Sequence, residues 1–258
     1  MNHPGLPAQL RELLDREIGA FLLGTTAADV QSITGQRRAE THFYRLSEGR
    51  DGSPVDKMIR LHQELAHPEE LSPAHAAFVT GYLVHLVWDE IWAWDIFVPF
   101  YRDGQQWPDS ANSRVRSFSV HHNALRVWLD RKAYAGLRDN AAIPSLLRET
   151  ESDHWLPFAH DWALAQWRDW LVEQLEEPSL IQTAEVFAER LRVPVSCLEA
   201  IVAEMMAGDY ATVPGIEAGL ASYEAAALTE SLQTVLRYWG IERTLDRKLE
   251  TEMTGSAT

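Results

Sequence analysis

The residues of this chain best suited to chemistry sit in its longest apolar stretch. Around Gly81-Tyr-Leu-Val-His85-Leu-Val-Trp-Asp89, an imidazole and a carboxylate stand four positions apart. On an α-helix that spacing puts them on one face, about 40° apart at roughly 100° per residue. Trp88, Ile91, Trp92 and Phe97 are their apolar neighbours in sequence. Burying an imidazole beside a carboxylate in such surroundings is costly unless both are satisfied. A metal ion satisfies both; a hydrogen-bonded i,i+4 pair is the other way to do it. The stretch also carries Glu90 and Asp95, and charges at mid-bilayer argue against a membrane span. A long core helix over residues 74–101 is expected instead, with Ser72 as its N-cap.

Upstream, Phe21-Leu-Leu-Gly24-Thr-Thr-Ala-Ala-Asp29 is followed by Arg38-Ala-Glu-Thr41-His42-Phe43, then by Gly81-x-x-x-His85-x-x-x-Asp89. In order, spacing and flanking residues these phrases resemble the bacterial zinc-dependent phospholipase C family, whose relatives include the single-strand-specific zinc nucleases. The resemblance covers roughly the first 100 residues. In that family an "FLLGS-x-x-PD" phrase supplies an Asp ligand and a "THF"-like phrase a His, and a "GxxxHxxxD" helix supplies a His and an Asp. The resemblance therefore implies metal ligands at Asp29, His42, His85 and Asp89, in an all-α, phospholipase C-like bundle around a long central helix. Two imidazoles and two carboxylates make an N/O set suited to Zn²⁺, with Fe²⁺ and Mn²⁺ as alternatives.

The resemblance also has gaps. Fully active members of the family hold three metals. Ten residues past His85, where they carry a further His, this chain has Asp95. For their His-x-x-x-Glu pair the only counterparts are His121 and His122, followed four residues on by Leu125 and Arg126. Those two imidazoles point about 100° apart on a helix; His122, beside Asn123, is the better candidate for a further ligand. His3 is a weak counterpart of the family's early His. A reduced centre is expected, with the first site complete and the others degraded. The resemblance implies metal-assisted hydrolysis of a small-molecule or lipid phosphoester, with Asp29 or Asp95 as general base. Arg126 suits an anionic phosphate or an ion pair with Asp130. The alternative is a non-catalytic metal-binding or structural helical protein whose C-terminal helices serve association, as in a homo-oligomer.

Two other arrangements of ligand-type residues occur in the sequence. His160-Asp161 is the doublet of HD-type phosphohydrolases, and would need His122 and Asp209 as further ligands. Glu151-x-x-His154 has the spacing of di-iron bundles, but such a site needs two motifs of this kind. His154 and His160 fit better packed beside their tryptophan neighbours.

These side chains must be positioned by helices. Leu10, Leu13, Leu14, Ile18, Phe21 and Leu22 form a helical stripe over residues 8–23, with Gly24 as its stop. Further helices are expected over 55–65, 115–135, 144–151, 153–175, 183–191, 196–206 and 216–239, and no alternating strand pattern occurs. A metal-binding domain over 1–177, a helical extension over 178–245 and a tail over 246–258 complete the expected organisation. A net charge of −15 speaks against a sequence-independent grip on nucleic acid or anionic lipid. Cys197, the only cysteine, excludes an internal disulfide. No basic-then-apolar leader precedes the first helix, so a cytoplasmic protein is expected.

Overall fold

The computed structural model describes residues 3–50, 52–103, 117–137, 142–176, 183–207 and 213–241. Among these residues every regular element is a helix, so the fold is all-α. No helix among them is long and apolar enough to cross a membrane. The helices are α1 (Ala8–Arg16), α2 (Ile18–Ala27), α3 (Gln31–Thr34), α4 (Arg38–His42), α5 (Pro54–Leu61) and α6 (Pro73–Ile91). Then come α7 (Ser117–Leu137), α8 (Ile143–Arg148), α9 (Asp161–Glu176), α10 (Thr183–Leu191), α11 (Val195–Met206) and α12 (Ile216–Tyr238). The expected boundary at 177–178 and the tail over 246–258 lie outside the described residues.

Contacts group the chain into two compact units. The first comprises Met1–Glu90, Leu146–Asp169 and Ala225–Thr258. Its core includes Leu14, Leu23, Met58, Phe78, Tyr82, Leu83, Leu86 and Leu164, all fully buried. The C-terminal part of α12 is tied into it: Trp239 Nε1–H donates to Thr80 Oγ1 (3.1 Å) and Tyr238 O–H to the Leu65 carbonyl (3.0 Å). The second unit comprises Ile91–Ser145 and Trp170–Glu224. There α7, α10 and α11 pack on one another around Leu125, Phe187, Leu198 and Val202.

The long helix begins as expected. Ser72 Oγ accepts from His75 N (3.3 Å), and Ser72 O from Ala76 N (2.9 Å). It does not stay α-helical to residue 101. After Ile91 it widens into a π-helix over Trp92–Arg102. Pro99 lies inside this segment and has no N–H to give to an α-helical ladder. Asp103 N closes the segment on Val98 O, five residues back (3.0 Å).

The expected helix over 8–23 divides at Glu17, whose backbone (φ −98°, ψ 32°) leaves the helix. Gly24 is not a stop, because α2 runs through it to Ala27. Its missing side chain serves packing instead. A Cβ on Gly24 would lie 2.0 Å from the Phe78 carbonyl oxygen, and one on Gly81 would lie 2.2 Å from the Phe21 carbonyl oxygen. The backbones of α2 and α6 thus touch where a side chain on either would hold them apart. The helix expected over 153–175 starts only at Asp161; before it the chain turns at His154 (φ 51°).

Gly81→Ala drives its methyl group into a rigid backbone carbonyl. We expect it to lower the unfolding free energy by about 3 kcal/mol, the upper range for overpacking, measured by urea denaturation. An unchanged denaturation midpoint would refute the close-packing role.

Candidate metal centre

Backbone contact between α2 and α6 has a chemical consequence. It brings the Thr25 carbonyl to His85, whose Nδ1–H donates to it at 2.8 Å. Two residues past α2, Asp29 sits in a short 3₁₀ turn (Ala28–Val30), pinned by Ala27, Ala28 and Val30, each fully buried. Helix α4 lies along α6 on a different side. Tyr82 O–H donates to the Thr41 carbonyl at 2.6 Å, His42 Nε2 faces His85 Nε2 at 3.4 Å, and Arg38 Nη2 donates to Asp89 Oδ2. As residue numbers fall on α4 they rise on α6, so the two run antiparallel. Phe43 then takes the left-handed conformation (φ 60°) and turns the chain. Its ring sits edge-on to Phe158, 5.2 Å between centroids. The turn returns Tyr44 to Asp89, where its O–H donates to Oδ2 at 2.6 Å.

Three of the four expected ligands converge. Candidate ligand atoms of Asp29, His42 and His85 all lie within 4.8 Å of one another. Asp29 Oδ1 is 3.5 Å from His42 Nε2. The His42 side chain is 1% exposed and that of Asp29 38%, so the cluster is closed on one side and open to solvent on the other. Asp89 stands one helical turn from His85 and is held by Arg38 and Tyr44.

Hydrogen bonds assign the tautomers. In the neutral His85 ring, donation from Nδ1 to the Thr25 carbonyl leaves Nε2 with a bare lone pair. His42 Nδ1 lies 3.0 Å from Thr41 Oγ1, and that hydroxyl gives its own hydrogen to the Arg38 carbonyl (3.2 Å). Thr41 Oγ1 therefore accepts from His42 Nδ1–H, and His42 Nε2 is bare as well. Burial pushes the His42 pKa below the ordinary imidazole value, against the pull of Asp29. Two nitrogen lone pairs and a carboxylate thus point at one another. A proton shared between His42 and Asp29, or a metal cation among the three groups, relieves the repulsion between them. The cluster's donor chemistry fits Zn²⁺, Fe²⁺ or Mn²⁺. Its outer hydrogen bonds are those that orient metal-bound histidines.

The charges behind the cluster are fixed. Burial alone would raise the Asp89 pKa, but Arg38, the two imidazoles and Tyr44 bring it below the usual carboxylate range. Burial opposes the Arg38 charge; Asp89 and Tyr44 override it and hold the guanidinium ionised. Burial, then the Asp89 charge, pushes the Tyr44 phenol up, so it stays protonated. Sequence reasoning missed Arg38 and Tyr44. The only signal for Arg38 was its position four residues before His42, mirroring Asp89 four after His85.

Other candidates lie elsewhere. His122 belongs to the second unit, where its Nε2 accepts from Trp92 Nε1–H at 2.9 Å. Phe97 and Tyr101 flank it, 4.7 and 5.1 Å between ring centroids. Asp95 lies in the π-helix of that unit. Neither belongs to a group of potential ligands among the described residues. Arg126 lies over the Phe187 ring, 4.4 Å from its centroid. His3 is exposed, its Nδ1 accepting from Gly5 N (3.1 Å). His160 stacks on Trp162, while Asp161 Oδ1 accepts from His154 N at 2.8 Å. Asp153, His154 and Asp161 form a second group of potential ligands, with Asp153 and His154 fully on the surface. Asp209 lies outside the described residues. Glu151 and His154 precede α9 and share no helix, so they lack the frame of a di-iron motif.

No family model, curated protein or solved structure matches this chain. Fold and site together define an all-α protein carrying a candidate site of two histidines and one aspartate.

Burial first, then the Arg126 charge, pushes His122 down to about 3 from 6.5. A depressed pKa means that the neutral ring stabilises the fold above 6.5 and that this stability drains away as pH falls toward 3. His122→Phe is expected to flatten the loss of urea stability between pH 7 and pH 4. An identical pH slope in both proteins would contradict this.

Proposed function

We propose that the chain is a metal-dependent hydrolase acting on a phosphoester, with a reduced centre held by Asp29, His42 and His85. One observation carries the reading: two bare imidazole nitrogens and a carboxylate oxygen face one another with their lone pairs. The phrases around Asp29, His42 and His85 that resemble zinc-dependent phospholipases C add the reaction class. Three protein donors with one solvent-facing side make an open site, as in catalytic rather than structural zinc centres. When bound there, Zn²⁺ lowers the pKa of water toward neutral and polarises a phosphoryl oxygen.

The chain's own residues do the rest. Thr25 and Thr41 hold the imidazoles in the Nδ1–H tautomer, so that each presents Nε2. Asp29, at the solvent edge, accepts a proton from the attacking water. Asp89 keeps Arg38 charged at the rim.

Elemental analysis of the purified protein should find about one equivalent of zinc, iron or manganese. His42→Ala and His85→Ala should each lower that content at least tenfold. At a free ion concentration a hundredfold above the dissociation constant, binding adds about 2.7 kcal/mol of stability, which a chelator should remove. A panel of phosphodiesters and phosphomonoesters tests the reaction. A protein that neither carries nor takes up metal refutes the site; metal without turnover on any panel member makes it a non-catalytic metal-binding protein.

A further inference from the structure

Helices α4 and α6 present their polar side chains to each other as a two-rung ladder. Arg38 and His42 are one turn apart on α4, and His85 and Asp89 one turn apart on α6. One rung is His42–His85 (Nε2 to Nε2 3.4 Å); the other is Arg38–Asp89. Four residues of α-helix rise about 6 Å, so the guanidinium stands about one turn from the imidazole nitrogens.

We propose that Arg38 is the oxyanion-binding arm of this site: a tetrahedral oxyanion bound at the Asp29–His42–His85 cluster reaches Arg38 with a second oxygen. The inference rests on the metal reading and names the group that recognises the substrate's charge. Three observations support it. Arg38 is 43% exposed at the side chain, which leaves part of the guanidinium facing solvent. It is held in place from two sides, by Asp89 Oδ2 and by the Tyr44 ring, whose centroid lies 5.1 Å from Cζ. Asp89 is in turn fixed by the Tyr44 hydroxyl. A guanidinium carries five N–H donors in a planar fork suited to phosphate. Asp89 Oδ2 engages Nη2 and Tyr44 also hydrogen-bonds the guanidinium, which leaves the rest of that fork for an oxyanion.

Charge supports the same assignment. A divalent cation and Arg38 supply three positive charges, and Asp29 and Asp89 supply two negative. With neutral imidazoles the site is left one positive charge, which favours an anion over a neutral ester or amide. The pairing with Asp89 does not cancel this role, because it orders the guanidinium before the anion arrives and lowers the entropy lost on binding.

The test uses inorganic phosphate as probe and the whole zinc-loaded protein. Zinc content is measured by elemental analysis and phosphate affinity by calorimetry, for the parent, Arg38→Met and Arg38→Lys. The expected result is equal zinc content in all three. Phosphate should bind at least tenfold more weakly to Arg38→Met, with Arg38→Lys in between, since a lysine keeps the charge and loses the fork. Arg38→Met strands the half-buried Asp89 carboxylate; should it fail to fold, Arg38→Lys carries the comparison, with an expected loss of at least threefold. Zinc bound normally, with phosphate affinity unchanged by either substitution or absent in the parent, overturns the role of Arg38 alone. A parent protein that binds no zinc overturns the metal reading beneath it.

Discussion

Two imidazole nitrogens, His42 Nε2 and His85 Nε2, face each other across 3.4 Å, and the hydrogen bonds on the far side of each ring turn both lone pairs inward. Asp29 adds a third donor from the solvent side. With the Nδ1–H of each ring donated to the Thr25 carbonyl and the Thr41 hydroxyl, the two Nε2 atoms have no hydrogen to share with each other. The arrangement persists only because rigid backbone holds each member. His85 is set by a helix whose neighbour touches it backbone to backbone at Gly24 and Gly81, and His42 by a five-residue helix fastened to α6 through Tyr82. Asp29 is set by a turn whose neighbours are fully buried.

Second in importance is the fate of Asp89. It lies one turn from His85, and its carboxylate is claimed by Arg38 and Tyr44. This divides the polar face between α4 and α6 into an imidazole rung and an ion-pair rung. In the function proposed above, the first rung holds a borderline metal ion and the second meets an anion. Tyr44 reaches its place because Phe43 adopts a left-handed backbone, and Phe43 is anchored against Phe158. The ion-pair rung therefore depends on a single turn and on the ring contacts of Phe43 with Phe158 and His62.

Much of this was legible in the chain. The all-α class followed from helical periodicity and the absence of alternating strands. The i,i+4 spacing of His85 and Asp89 announced a shared helix face. Asp29 and His42 entered only through the phrases that contain them, because no periodicity links a loop carboxylate to a helix forty residues later. The capture of Asp89 was hidden for a related reason: a left-handed Phe43 leaves no mark in composition. Gly24 was misread as a helix stop because the same residue type serves helix ends and helix contacts. The π-helix after Ile91 was also invisible, since its side-chain pattern is as apolar as that of an α-helix. Beyond that point α-helical angles no longer say which way a side chain such as Asp95 faces.

The most direct measurement is of the histidine tautomers, by two-dimensional NMR correlating imidazole ¹⁵N and ¹H in metal-free protein at neutral pH, followed by zinc titration. The account predicts Nδ1–H tautomers for both His42 and His85, with both Nε2 resonances shifting as zinc is added. A hydrogen on either Nε2, or Nε2 resonances that ignore zinc, would contradict it.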